Sequence, residues 1–310
     1  MFSLVFPGQG SQTVGMARDF YQNFEIVRKL FNEADEILGT KLSNIILDGP
    51  KESLDMTENT QPAIFLASYS IFQVAIREFD LNPMKALFAA GHSLGEYTAL
   101  SCLNSLKFSD GLKLLKIRGN SMQNAVPIGE GGMVAVLGVK IEYLDKIMSE
   151  NKKKFNCFIA NDNTIGQVVV SGKTNDLQKF TELLKKKKIK SIKLPVSAPF
   201  HCPLMNKASK IMSDEIEKIE FRQPKIKVLS NVHAKVAKDE KELKQLLIAQ
   251  IESRVRWREI INVMVQENCN NFIEIGPGRV LSGMIKRMSK NLNVSSINSV
   301  NDIKNLKIND

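Results

Sequence analysis

Apolar residues along this chain recur in two rhythms, and the order in which those rhythms alternate points to an α/β fold. Phe2 to Phe6 is a short, mostly apolar run closed by Pro7, the pattern of a buried strand. Past the glycine-bearing stretch Pro7-Gly8-Gln9-Gly10-Ser11-Gln12, the residues Phe20, Phe24, Val27, Leu30, Phe31, Ala34 and Leu38 fall three and four apart. That spacing predicts a helix with one buried face. Pro62 then opens a helix that is apolar on most sides, through Phe65, Leu66, Tyr69, Phe72, Val74 and Ile76, and it is expected at the centre of the molecule. A strand from Ala86 to Ala90 runs through Gly91-His92-Ser93-Leu94-Gly95 into a helix over 96–103. Ser109 is placed to cap a further helix reaching about Ala125.

Near Gly129, Gly131 and Gly132 the texture changes. The pattern predicts a strand from Met133 to Val139, a helix over 141–150, strands from Phe155 to Ala160 and from Gln167 to Gly172, a helix over 174–187, and a strand from Lys190 to Val196. This β-α-β-β-α-β order is the ferredoxin-like split arrangement. We expect a ferredoxin-like small domain over 126–196, inserted into a large α/β-hydrolase-like domain of 1–125 and 197–310 built on a parallel central sheet. The larger unit resumes with a helix from about Pro203, a strand from Val228 to Ser230 and helices over 239–267. A strand from Asn271 to Ile275, the turn Gly276-Pro277-Gly278 and a helix from about Val280 complete the pattern. No internal repeat or low-complexity linker interrupts it.

Composition narrows the class. The 310 residues are 43% hydrophobic and 25% charged, an ordinary globular balance. No run approaches the roughly 18 apolar residues of a membrane span, so no membrane partner is expected. The segment Met1 to Pro7 carries no basic stretch and does not read as a signal peptide. The four cysteines (102, 157, 202 and 269) lack C-x-x-C pairing and suit reduced thiols in the cytoplasm or a comparable organelle matrix. A net charge of +10 and an isoelectric point near 9.3 favour acidic partners. The runs Lys152–Lys154 and Lys185–Lys188 fall at expected helix ends, where cations meet the negative pole of the dipole. No module for DNA or RNA is visible, so no nucleic-acid partner is expected.

Candidate chemistry centres on Gly91-His92-Ser93-Leu94-Gly95. A serine in G-x-S-x-G between a strand and a helix reads as a nucleophile elbow; the plainer reading is a glycine turn whose serine caps the helix. A serine hydroxyl needs a base, and the chain has three histidines. His92 adjoins Ser93 on a sharp turn, where neighbouring side chains diverge. His233 reads as a polar loop residue. His201 lies in a small-residue loop returning from the inserted segment to the larger unit, where a cleft is expected, and elimination favours it. The 108 positions from Ser93 to His201 fit the α/β-hydrolase chain order poorly, because there the histidine lies near the C-terminus. A patatin-like dyad would want Asp-Gly-Gly or Asp-Gly-Ala, and neither occurs. Arg118 has Leu114, Leu115 and Met122 as helical neighbours. It either covers them with its stem or presents its guanidinium to a carboxylate through two parallel hydrogen bonds.

With these residues in view, the chain resembles the malonyl-CoA:acyl carrier protein transacylases over essentially its whole length. The resemblance is carried by Phe6-Pro7-Gly8-Gln9-Gly10-Ser11-Gln12, Thr60-Gln61-Pro62-Ala63, Gly91 through Glu96, Arg118-Gly119, Asn163 through Val169, Pro199-Phe200-His201 and Gly276-Pro277-Gly278. It implies that Ser93 takes malonyl from malonyl-CoA as an ester, with His201 as base and then acid, and that the phosphopantetheine thiol of acyl carrier protein receives it. It implies further that Arg118 holds the free carboxylate, that the backbone N–H groups of Gln9 and Leu94 form the oxyanion hole, and that a neutral acceptor at Gln250 orients the imidazole. Phe200 matches the residue that excludes a methyl branch, and Cys202 stands where serine is common, as a small filler rather than a nucleophile. No cofactor and no metal is implied, since the coenzyme A thioester is a substrate, and the resemblance leans to a monomer. Strongly acidic carrier proteins would suit the basic surface, with Lys286 and Arg287 as candidate docking residues. A serine hydrolase or thioesterase using the same Ser-His pair, and a non-catalytic acyl-binding scaffold, are the competing readings.

Overall fold

The structure is a computed structural model that describes residues 1–306. Its first strand, β1 (Phe2–Phe6), is buried at every position, as a strand covered on both faces must be. The single helix expected next is two, α1 (Arg18–Asn23) and α2 (Glu25–Leu38), because the chain is extended at Phe24 (φ −125°, ψ 123°). Short helices α3 (Leu42–Asp48) and α4 (Lys51–Asp55), absent from the expectations, lead into α5 (Thr57–Glu78). The latter is the central helix that its all-round apolar sequence predicts, but it begins one turn before Pro62. The polar turn Thr57 to Gln61 is helical because its side chains find partners. Thr60 Oγ1 donates to the Leu54 carbonyl (2.6 Å) and Thr57 Oγ1 to Gln123 Oε1 (2.9 Å).

Strand β2 (Ala86–Gly91) pairs parallel to β1 with Gly91 opposite Phe6, so the loop after Phe6 and the turn after Gly91 leave the sheet side by side. Helix α6 (Leu94–Cys102) follows the turn, and α7 (Phe108–Gln123) packs against α5. Ser109 does not cap α7: the helix starts at Phe108, with Lys107 at the cap position and no side-chain cap.

The next segment holds β3 (Gly131–Leu137), α8 (Ile141–Glu150), β4 (Cys157–Thr164), β5 (Gln167–Lys173), α9 (Thr174–Lys186) and β6 (Lys190–Lys193). The four strands form a separate antiparallel sheet in the order β4-β5-β3-β6. Side-chain alternation sorts its two faces. Val134, Val136, Val168 and Val170 pack with α8 and α9 residues such as Leu144, Phe180 and Leu184, whereas Met133, Ala135 and Val169 join the main core. Strand β4 runs four residues past the expected Ala160, through the polar Asn161-Asp162-Asn163-Thr164. Those residues are buried, and pairing with β5 persists across two register shifts. Strand β6 ends before the expected Val196, since Pro195 has no N–H to continue the ladder.

The chain then returns through α10 (Asn206–Glu217), β7 (Lys227–Val228), α11 (Glu240–Gln250) and α12 (Trp257–Gln266). It ends its described part with β8 (Asn271–Ile275), α13 (Val280–Met288), β9 (Asn293–Ile297) and α14 (Val300–Lys304). The larger sheet is parallel throughout, in the order β7-β2-β1-β8-β9. Both lysine runs lie where expected, after α8 and at the end of α9. Among the described residues, no helix is long and apolar enough to cross a membrane.

Candidate active site

The turn between β2 and α6 is held in a conformation that side chains rarely adopt: Ser93 has φ 55° and ψ −110°. Asn231 clamps it from below. Its Oδ1 accepts from the Ser93 N–H (2.7 Å) and its Nδ2 donates to the Gly91 carbonyl (2.8 Å). Close packing against the first loop completes the turn. The His92 N–H donates to the Phe6 carbonyl (3.0 Å), and a Cβ on Gly95 would lie 2.3 Å from that same carbonyl oxygen. The Ser93 hydroxyl makes no cap bond to α6, so the helix-capping reading fails.

The hydroxyl instead faces His201, whose Nε2 lies 2.8 Å from Ser93 Oγ. The other ring nitrogen, Nδ1, is 2.8 Å from the main-chain carbonyl of Gln250. A carbonyl only accepts, so Nδ1 carries the proton and Nε2 turns its lone pair toward the serine. Burial, reinforced by the nearby Arg118 cation, pushes the imidazole pKa down to about 3, which keeps it a neutral base around pH 7. The loop that carries it is pinned by Ser171 Oγ donating to the Phe200 carbonyl (2.6 Å). Cys202 Sγ donates to the Pro199 carbonyl (3.0 Å), and burial raises this thiol to about 12. That is the behaviour of a filler. His92 diverges from Ser93 to meet Asn163 Oδ1 (2.9 Å), and His233 stays within its own loop, accepting from the Lys235 N–H (3.1 Å).

Arg118 is 1% exposed, and its guanidinium enters the site. Nη2 donates to Ser93 Oγ (3.0 Å) and Gln250 Oε1 (2.8 Å), while Nη1 donates to Gln61 Oε1 (2.7 Å). Nε is buried without a hydrogen-bond partner. Its acceptors are neutral, so the cation has no carboxylate on it. Burial lowers its pKa, with Tyr97 and Glu96 opposing that shift.

Gln250 serves the site in a way its residue type did not reveal. As the last residue of α11 its main-chain carbonyl takes no i+4 helix bond and accepts only a long one from the Ser253 N–H (3.4 Å); this carbonyl, not the side chain, orients the imidazole. The side chain reaches Arg118 with Oε1, while Nε2 donates to the Ser93 carbonyl (3.1 Å) and Glu96 Oε2 (2.7 Å). Glu96 also accepts from the Asn231 N–H (3.0 Å), and burial pushes its carboxyl up to about 7. Sequence reasoning gave no role to Asn231, Gln61 or Glu96. Gln61 and Glu96 lie inside the stretches that carried the resemblance, and Asn231 precedes His233 by two residues.

These groups open on a cleft of about 220 Å³ between the two sheets. One wall carries Gly8, Gln9, Ser93, Leu94, Arg118 and His201; the opposite wall carries Met133, Ala135, Asn161, Asn163 and Val169 from the small sheet. Phe200 lines it beside His201, as do Val280, Leu281 and Met284 from α13. Leu94 is the first residue of α6, where an N–H has no partner inside the helix, and Gln9, in the first loop, lines the same cleft. Lys286 and Arg287 are exposed in the last turn of α13, whose first turns line the cleft.

Comparison with known proteins gives this geometry a context. The family model described as acyl transferase domain matches residues 3–308. A malonyl CoA-acyl carrier protein transacylase of Bacillus subtilis is 39% identical over 297 residues, covering 95% of this chain and 92% of the relative. Its Escherichia coli counterpart is 36% identical over 298 residues, covering 96% of each. Among solved structures, FabD from Acinetobacter baumannii matches with a TM-score of 0.93 at 38% identity, covering 98% of this chain and 96% of that one. A malonyl-transacylase solved in complex with its type II PKS acyl-carrier protein matches with a TM-score of 0.93 at 35% identity, covering 98% and 97%.

Proposed function

Because the chain belongs to the malonyl CoA-acyl carrier protein transacylases of the acyl transferase family, we propose that it moves malonyl from coenzyme A to the phosphopantetheine thiol of acyl carrier protein, supplying fatty acid elongation. One observation carries the choice of acyl group. In malonyl a single methylene separates the thioester carbonyl from the free carboxylate, so a cation that reads the carboxylate must stand beside the nucleophile. Arg118 Nη2 is 3.0 Å from Ser93 Oγ. A guanidinium whose acceptors are all neutral keeps its charge for a carboxylate, whereas an acetyl group brings no charge to meet it.

In the proposed mechanism His201 Nε2 takes the Ser93 proton as Oγ attacks the thioester carbonyl. The N–H groups of Leu94 and Gln9 receive the oxyanion. The C–S bond breaks, the imidazolium hands its proton to the departing thiolate, and malonyl stays on Ser93 as an ester. The carrier thiol then gives its proton to His201 and attacks the ester, and the same imidazolium returns that proton to Ser93 Oγ. A carbonyl behind Nδ1 orients the ring while stabilising its cation less than a carboxylate would. Every atom in these steps belongs to a side chain, a backbone amide or a substrate, so the chemistry calls for no cofactor or metal. Phe200 closes the space a methyl branch would need.

The order β4-β5-β3-β6 supports reading 126–196 as a ferredoxin-like insertion in an α/β-hydrolase-like domain of 1–125 and 197–310. Both walls of the site come from one chain, which favours a monomer. Four free cysteines favour a cytosol or organelle matrix. The partner is an acidic carrier protein meeting Lys286 and Arg287 at the end of the cleft, rather than nucleic acid or membrane.

The test is to incubate the protein with malonyl-CoA, take its intact mass, and add holo-carrier protein. A malonyl adduct on Ser93 that passes to the carrier is the expected result. Free malonate accumulating with little carrier loading would establish the thioesterase reading instead.

A further inference from the structure

Behind the nucleophile, on the side away from the cleft, lies a carboxyl group that the proposed mechanism does not use. Glu96 is 3% exposed, in the first turn of α6. One of its oxygens, Oε2, accepts from both Gln250 Nε2 (2.7 Å) and the Asn231 N–H (3.0 Å). Each of those residues presents its other polar atoms to the reacting groups. Gln250 turns Oε1 to Arg118, and Asn231 holds the Ser93 N–H and the Gly91 carbonyl.

An amide side chain looks alike from either end until its partners tell its oxygen from its nitrogen. For Gln250 the shortest contact that makes the distinction is the one to Glu96, since a carboxyl oxygen accepts from NH₂ and rejects the amide oxygen. With Nε2 fixed there, Oε1 faces Arg118. We infer that Glu96 is a positioning residue that locks the Gln250 amide and, through it, the guanidinium that reads the substrate carboxylate, while a second bond to Asn231 supports the serine turn.

Both donors converge on Oε2, which leaves Oε1 to carry a proton. Burial raises the group to about 7, and the bonds to Gln250 and Asn231 survive in either charge state. The neutral amide of Glu96→Gln therefore reproduces the role, its oxygen taking the place of Oε2. Glu96→Met fills a similar volume with no oxygen acceptor, and Glu96→Ala removes the group altogether. The assignment rests on the proposed malonyl transfer.

The experiment measures Ser93 acylation by malonyl-CoA and by acetyl-CoA, through intact mass, for the full-length protein and the three variants, with thermal unfolding to show which are folded. Loss through Asn231 slows both acyl groups alike; loss through Gln250 and Arg118 slows malonyl far more than acetyl. In Glu96→Met, or in Glu96→Ala should Met not fold, the malonyl-to-acetyl rate ratio should fall about tenfold or more, while Glu96→Gln keeps it within about threefold. An unchanged ratio in the folded Met or Ala variant overturns the assignment, as does a fall in Glu96→Gln as large as in Met. A wild-type protein that takes up no malonyl would sink the functional reading itself, a result distinct from either.

Discussion

In the proposed reaction Arg118 sets what Ser93 accepts, and the two must be judged together because they share a hydrogen bond. Arg118→Ala removes the partner of the incoming carboxylate from a desolvated site, at a cost of about 4 kcal/mol, on the order of a thousandfold in malonyl loading. Acetyl loading loses only the bond from Nη2 to Ser93 Oγ and should fall about tenfold. Rates of Ser93 acylation from the two thioesters measure this, and equal losses would contradict a selective role. The residues legible in the sequence were those whose types are scarce or chemically pointed: a serine between glycines, one histidine chosen from three, one arginine among apolar neighbours. Gln61, Glu96 and Asn231 carry no such mark, since a buried polar residue is identified by its partners and not by its flanks. The acceptor behind His201 is a main-chain atom at the end of a helix, which a residue name does not announce.

At the scale of elements, periodicity located the strands and helices that bury a face, and failed where burial does not follow apolar pattern. Strand β9, Asn-Val-Ser-Ser-Ile, lies at the sheet edge and is not among the expected strands, with two apolar residues in five. The polar end of β4 is buried because Asn161 and Asn163 line the cleft while Asp162, on the opposite side of the strand, holds Arg258 of α12 (2.8 Å). Pro62 misplaced the start of α5 because proline favours a first turn, yet side-chain bonds sustain a turn before it. The second glycine of the serine turn is there for close approach. Gly95 has no room for a Cβ, which would lie 2.3 Å from the Phe6 carbonyl oxygen and 2.9 Å from that of Pro7, both of them backbone. Gly95→Ala should therefore cost about 3 kcal/mol in unfolding experiments and displace Ser93. A variant as stable and active as wild type would refute that account of the turn.

The whole molecule places the reaction between two sheets of different kinds. The parallel sheet ends its β1 and β2 strands side by side, which sets the Gln9 loop against Ser93; ligands gather at the carboxyl ends of such strands. The antiparallel sheet supplies the facing wall, and the loop returning from it brings His201. Burial keeps that imidazole neutral until the serine proton reaches it. On this account Ser93 holds malonyl between two thiols, and water is a poor rival to either. The most direct test is isotope exchange without carrier protein: malonyl-CoA is mixed with labelled coenzyme A and the enzyme alone. Transfer through a malonyl-serine predicts that label enters malonyl-CoA much faster than malonate is released. Malonate release with no label entering malonyl-CoA would contradict it.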